Sequence, residues 1–368
     1  MIDNSLLKRD EQAILSLRSL YKRYGYMPYK MSKFEEYDLY VQNKDFLVSD
    51  RVITFNDTNG ALMALKPDVT LSIIKNAEDT SGIKTKVYYN ENVYRVSEST
   101  HQYKEIMQAG LEIIGDIDCY DTYEAVLLAV KSLESISKNY MLDISQLDIL
   151  SSILDEISED EKFRGEIIGC IKEKNTHDLE RVCKKHSVSE NKIQNLITVC
   201  GIYASMPEAI ELLTPLCTSE KAKEALGQLS QLCELFSGSG YEDRIYVDFS
   251  IVNDMNYYNG IVFKGFVDGI FTGVLSGGRY DKLMARMGRR SGAIGFALYL
   301  DLLQELEDSE AEYDVDTLIL CSESATVKQI SDTVAKITQQ AKSVSVQKAI
   351  PQKLRYREII KLGLESKV

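Results

Sequence analysis

The 368-residue chain has no apolar run near the roughly 20 residues that a helix needs to cross a bilayer, so no membrane association is expected. Its N-terminus, MIDNSLLKRDEQAI, lacks the apolar centre of a secretory signal, and the expected compartment is the cytoplasm. Basic residues are in deficit: 43 Lys and Arg against 56 Asp and Glu leave a formal net charge of -13. That balance argues against a nucleic-acid partner, because phosphate contacts need a concentrated basic surface. There is no CxxC pair, and the seven cysteines, from Cys119 to Cys321, are dispersed, which reads as reduced and mostly buried thiols. Cys170, His177, Cys183 and His186 match none of the usual zinc spacings, and no metal is expected.

What is present is an ordinary globular composition, 44% hydrophobic and 27% charged, in a chain long enough for two or three domains. Leu6, Leu7, Ile14, Leu17 and Leu20 recur at helical spacing and predict an amphipathic helix over 5–24, ended by Gly25 and Pro28. A short helical or extended segment follows from Glu35 to Leu47. Asn59-Gly60 between Val52–Asn56 and Ala61–Leu65 predicts a hairpin, with a helix beginning near Pro67. Two strands joined by a polar loop are expected over Lys84 to Gly115, and an amphipathic helix over Tyr120 to Ser137. From about 151 to 236 the periodicity is helical throughout, an insertion, after which strands resume at Arg244–Phe249, Gly260–Phe266 and Ile270–Ser276. The fold class is α+β, an antiparallel sheet flanked by helices. The acidic run ELEDSEAEYD separates a core over 1–305 from a small α/β unit over 313–368. In that unit strands at Val315–Cys321 and Ser343–Gln347 alternate with helices at Ala325–Ala341 and Pro351–Leu362.

The most informative stretch is YKEIMQAGLEIIG. Side chains alternate along a strand, so Gln108, Gly110 and Glu112 share one face, while Met107, Ala109, Leu111 and Ile113 share the other. The second face is core. The first reads as the floor of a binding site, with Gly110 removing side-chain bulk where a ligand could lie against the backbone. Asp68 and Thr70 at a helix start are, by themselves, capping residues.

Taken in order, LKPDVT, YYNENVYRVSEST with YKEIMQAGLEIIG, and NYYNGIVF with LSGGRYDKL resemble the catalytic core of class II histidyl-tRNA synthetases over roughly residues 10 to 300. The resemblance implies a synthetase-like core that forms a homodimer. It also implies a histidine pocket of Asp68 and Thr70, Gln108, Glu112, Tyr257, Tyr258 and Tyr280, with Arg95 at the position that contacts the substrate carboxylate and ATP phosphate. A histidine ligand suits such a set, since ammonium and imidazole N–H groups donate to carboxylate, amide and phenol oxygens. The adenylation equipment departs from the pattern. Ser97 replaces an ATP-facing Glu, Asn253 a catalytic arginine, and Leu298 an arginine that clamps ATP. Without fixed positive charge the phosphoryl transition state loses about 3 kcal/mol or more per group, so the resemblance implies a sensor with no cofactor rather than a catalyst.

Within this superfamily the combination resembles the family of regulatory subunits of ATP phosphoribosyltransferase. That resemblance implies a short-form catalytic subunit as partner in a hetero-oligomer, activation of that subunit, and L-histidine as the feedback effector. The C-terminal unit is then expected to be a remnant of an anticodon-binding domain. The alternatives are a divergent histidyl-tRNA synthetase and a stand-alone amino-acid-binding paralogue.

Overall fold

The computed structural model describes residues 7–43, 52–77, 80, 82–96, 100–252, 257–306 and 313–363. The chain divides into two units, Met1–Glu305 and Leu306–Val368.

The first unit opens with α1 (Arg9–Arg23), whose buried stripe is Ala13, Leu17, Leu20 and Tyr21. Next come β1 (Met27–Pro28), β2 (Phe34–Glu36), α2 (Tyr37–Val41), β3 (Thr54–Asn56), β4 (Leu62–Leu65) and α3 (Thr70–Asn76). Strands β3 and β4 form the hairpin predicted from Asn59-Gly60, with Gly60 at φ +85° and β2 on the other edge of β4. The long strands β5 (Thr85–Val96) and β6 (Tyr103–Gly115) pair antiparallel along their whole length, Thr85 opposite Ile114 and Val96 opposite Tyr103.

Helix α4 (Cys119–Glu134) is fixed at its start by a reciprocal cap between Asp118 and Asp121, and Lys84 bridges both carboxylates at 2.7 and 2.6 Å. It lays Ala125, Val126, Leu128, Ala129, Val130 and Leu133 across one sheet face. Each fully buried Leu or Val contributes about 1.5–3 kcal/mol. The fit against the sheet is close, because a Cβ on Gly265 would lie 2.7 Å from Leu133. Strand β7 (Tyr140–Gln146) follows, which the sequence reading did not anticipate. It leads into α5 (Leu147–Asp155), α6 (Glu161–Lys172), α7 (Thr176–Lys185) and α8 (Glu190–Gly201). The helical insertion is interrupted by an edge strand, β8 (Tyr203–Ser205), before α9 (Met206–Leu213) and α10 (Glu220–Phe236). The sheet is completed by β9 (Ile245–Asp248), β10 (Asn259–Val267), β11 (Leu275–Arg279), α11 (Asp281–Arg286) and β12 (Gly292–Tyr299).

Among the described residues these strands make one nine-stranded sheet in the order β1-β5-β6-β12-β11-β10-β7-β9-β8. Its pairings are antiparallel except β1 with β5 and β7 with β9. The expected α+β architecture, a mainly antiparallel sheet flanked by helices, is the observed one. Strand β11 begins later than the predicted Ile270–Ser276, because residues 270–274 turn the chain between β10 and β11.

The second unit contains β13 (Val315–Cys321), α12 (Val327–Gln339), β14 (Val344–Gln347) and β15 (Tyr356–Leu362), with strand order β14-β13-β15 and both pairings parallel. The helix expected over Pro351–Leu362 is wrong: YREIIKL runs beside β13 as a strand. Ladder pairing and the burial of Ile319 with Cys321 and Ile337 outweigh the helix preference of its Arg, Glu and Lys. No helix among the described residues is long and apolar enough to cross a membrane.

Candidate functional site

Register across β5, β6 and β12 decides which side chains meet. Gln108 stands between Glu91 and Tyr299, Gly110 between Tyr89 and Ala297, and Glu112 between Val87 and Gly295, so all of these share the face turned away from α4. Over this face lie α3, the segment leading into it and the start of α11, whose apolar side chains Val69, Leu71, Leu283 and Met284 form one core with Tyr89 and Tyr280.

Glu112 is at the bottom, 2% exposed. Thr70 Oγ1 donates to its Oε1 at 2.9 Å and Tyr280 OH donates to its Oε2 at 2.6 Å. Room for the carboxylate comes from Gly295, where any Cβ would overlap Oε2. Burial pushes the Glu112 carboxyl up to about 8, the Tyr280 and Thr70 hydrogen bonds pull it back, and Asp68 adds to the rise. Asp68 sits above, its Oδ1 accepting the Leu71 N–H at 3.0 Å across the first turn of α3. Burial raises its carboxyl as well, against the Leu71 amide and the Arg95 guanidinium.

Three tyrosines close the aromatic side. The Tyr257 ring lies 4.4 Å from Tyr258 and 5.8 Å from Tyr280, centroid to centroid. Burial first, then neighbouring tyrosines and the two acids, holds these phenols well above their usual range, so they remain protonated donors. Arg95, half-buried, donates from Nε to the Pro67 carbonyl at 3.0 Å and lies beside Tyr299 and Asp68. Asp68, Thr70, Arg95, Gln108, Glu112, Tyr257, Tyr258 and Tyr280 therefore gather on one sheet face.

Gly110 has a different role from the expected one. A Cβ there would come within 2.5 Å of Tyr89 OH, so the space over this glycine is filled by the Tyr89 ring. Tyr89 and Tyr299 are site-face residues that the sequence reading missed. Cross-strand register names both, Tyr89 opposite Gly110 and Tyr299 opposite Gln108, but register needs the pairing and cannot be read from one strand.

Two positions singled out as departures from an adenylating site, Ser97 and Asn253, lie outside the described residues. The third, Leu298, is fully buried, opposite Ala109 and Leu275 on the α4 side of the sheet. It supplies packing and no charge. No group of His, Cys, Asp and Glu among the described residues has the arrangement of a metal centre.

The arrangement can accept donors. Two buried acids and a half-buried guanidinium share the face, and the acid oxygens suit an N–H-rich ligand. The Histidyl-tRNA synthetase family model matches residues 3–303. An ATP phosphoribosyltransferase regulatory subunit from Alkaliphilus metalliredigens is 30% identical over 292 residues, covering 76% of this chain and 72% of that protein. The chain belongs to the family of ATP phosphoribosyltransferase regulatory subunits. A second regulatory subunit, from Clostridium acetobutylicum, is 28% identical over 342 residues, covering 90% and 83% of the two chains. Among solved structures, an ATP phosphoribosyltransferase regulatory subunit/histidyl-tRNA synthetase from Bacillus halodurans superposes with a TM-score of 0.75 at 21% identity, covering 96% of this chain and 94% of that one. The ATP phosphoribosyl transferase (HisG:HisZ) complex from Thermotoga maritima contains a chain with the same fold, with a TM-score of 0.63 at 17% identity, covering 78% and 96%. The family is one of regulatory subunits rather than of catalysts, in keeping with an apolar side chain at Leu298.

Proposed function

We propose that this regulatory-subunit family member senses L-histidine through the Glu112 site and transmits its occupancy to a short-form ATP phosphoribosyltransferase catalytic subunit, which it activates. The observation that carries the reading is Glu112 itself, a buried carboxylate with two oriented donors and a space kept open by Gly295. Burying an acid with no cation beside it is costly. An imidazole N–H on Glu112, an ammonium near Asp68 and a carboxylate on Arg95 would satisfy all three at once. Tyr257 and Tyr258 offer aromatic walls to the ring, and Gln108 a further polar contact.

The Thermotoga maritima complex, which joins HisG to HisZ, supports an assembly of the same kind here, and the proposed assembly is built on a dimer of this chain. Met27 on edge strand β1 and Leu15 on α1, 67% and 41% exposed, are apolar side chains on which a second copy would pack. Histidine would act by binding one arrangement of the assembly more tightly than another, and linkage then requires catalytic-site ligands to change histidine affinity in return.

The test is reconstitution with a short-form catalytic subunit, following phosphoribosyl-ATP formation with and without histidine. Activation by this chain, reversed by histidine in native protein and not in Glu112→Gln, is expected. No activation and no histidine effect would overturn the proposal.

A further inference from the structure

Behind the sheet, on the α4 side and away from Glu112, lies a cavity of about 380 Å³ between the first turns of α4 and α5, the middle of α10 and the strands β10 and β11. Its walls are fixed by a closed set of hydrogen bonds. Fully buried Gln146 donates from Nε2 to Gln228 Oε1 at 3.1 Å and accepts the Asp148 N–H at 3.3 Å. Asp281 takes Arg279 Nε at 2.7 Å, Asn259 Nδ2 at 3.1 Å and the Ala293 N–H at 3.1 Å, so its acceptors are occupied by the protein.

Gly260 keeps the middle open. It sits at φ +61°, and a Cβ there would point among Arg279 Cδ at 3.6 Å, Asp148 Oδ2 at 3.8 Å and Gln146 Oε1 at 3.9 Å, all three of them lining atoms. A side chain at this position would therefore enter the cavity itself. What the protein leaves unsatisfied is complementary in sign: the Asp148 carboxylate has no ion pair among the described residues, and Arg279 spends only its Nε on Asp281. Asp148 and Arg279 thus flank one open space, with the apolar side chains of Ile261, Leu229 and Leu232 in the lining.

We propose that this cavity is a second small-molecule site, for a compact zwitterion with an ammonium at Asp148 and a carboxylate at Arg279, that is, an amino acid held apart from the Glu112 site. A volume of this size lies within the usual range for small-ligand pockets, and an acid and a base in one lining orient a ligand as well as hold it.

The test uses saturation-transfer NMR on full-length Glu112→Gln protein, which removes the first site, with a panel of proteinogenic L-amino acids at millimolar concentration as probes. At least one probe is expected to receive saturation, and to lose it in Asp148→Asn and in Cys119→Trp, where a bulky ring on an exposed lining residue plugs the cavity. Melting curves of both variants report whether the fold is intact, and Cys119→Trp, altering a surface position, serves if Asp148→Asn is unstable. In the native background, histidine affinity of both variants is expected to stay within about twofold. Absence of saturation transfer to every amino acid, or transfer that survives both substitutions, would overturn the second site and leave the Glu112 site untouched.

Discussion

Glu112 on β6 and Asp143 on β7 are buried acids on the same face of the same sheet, and burial raises both, to about 8 and about 7. Glu112 receives two hydroxyl donors and is given room by a glycine. Asp143 Oδ1 receives no hydrogen bond, nor does the neighbouring Ser145 Oγ, and the Asp143 carboxyl is raised further by Asp248 while Lys174 and Lys264 oppose the rise. The difference separates an acid whose oxygens are held by oriented donors, the one proposed to receive a ligand, from an acid left without a partner on Oδ1. A raised acid is common to both, and donors aimed at the carboxylate are what mark a site.

The largest effect expected to break this contrast comes from Gly295→Ala, whose methyl would overlap Glu112 Oε2. Displacing the carboxylate is expected to weaken histidine binding, measured by calorimetry, on the order of 100-fold or more, because a charged hydrogen-bond partner is lost. Tyr280→Phe is milder. The Tyr280 hydrogen bond is present without ligand and is stronger to the ionised carboxylate, so affinity should fall by up to about 10-fold and the melting temperature by roughly 2–4 °C.

The pH profile sharpens the comparison. Unliganded Glu112 is protonated below about 8, and free histidine carries a neutral ring above about 6.5, so between those limits the pair holds one proton both apart and together. Affinity is expected to be flat in that window and to fall on either side, with proton release on binding below it and proton uptake above it. Calorimetry in buffers of different ionisation enthalpy reads this directly.

Asp143→Asn gives the smallest effect. An acid whose folded pKa is raised contributes stability that is fully present below its ordinary 3.8 and is lost as pH rises through about 7. The amide removes that loss, so the variant should melt about 1–3 °C higher than native at pH 8 and no higher near pH 4, with histidine affinity unchanged within about twofold. A large loss of histidine binding in Asp143→Asn would erase the distinction between the two acids.

Much of this was legible in the sequence, and particular elements say why the rest was not. The Asn59-Gly60 hairpin and the strand Val315–Cys321 carry local signals, a turn dipeptide and a compact apolar run, and both are where the sequence places them. Residues 356–362 carry helix-forming charges, and only pairing with β13 makes them a strand. Within the site, alternation along β6 put Gln108 and Glu112 on one face without knowledge of neighbours. Tyr89 and Gly295 are defined by what they oppose, and one residue of register would reverse both. The filling of the space over Gly110 by Tyr89 belongs to the same class, since a glycine in a strand reports a close approach without naming what approaches.

The central claim is that Glu112 receives histidine, and calorimetric titration of L-histidine into native and Glu112→Gln protein near pH 7 tests it most directly. The account predicts saturable binding to the native protein and a loss of affinity on the order of 100-fold in Glu112→Gln, with the same fold by circular dichroism. Equal binding to both proteins, or none to the native one, would contradict it.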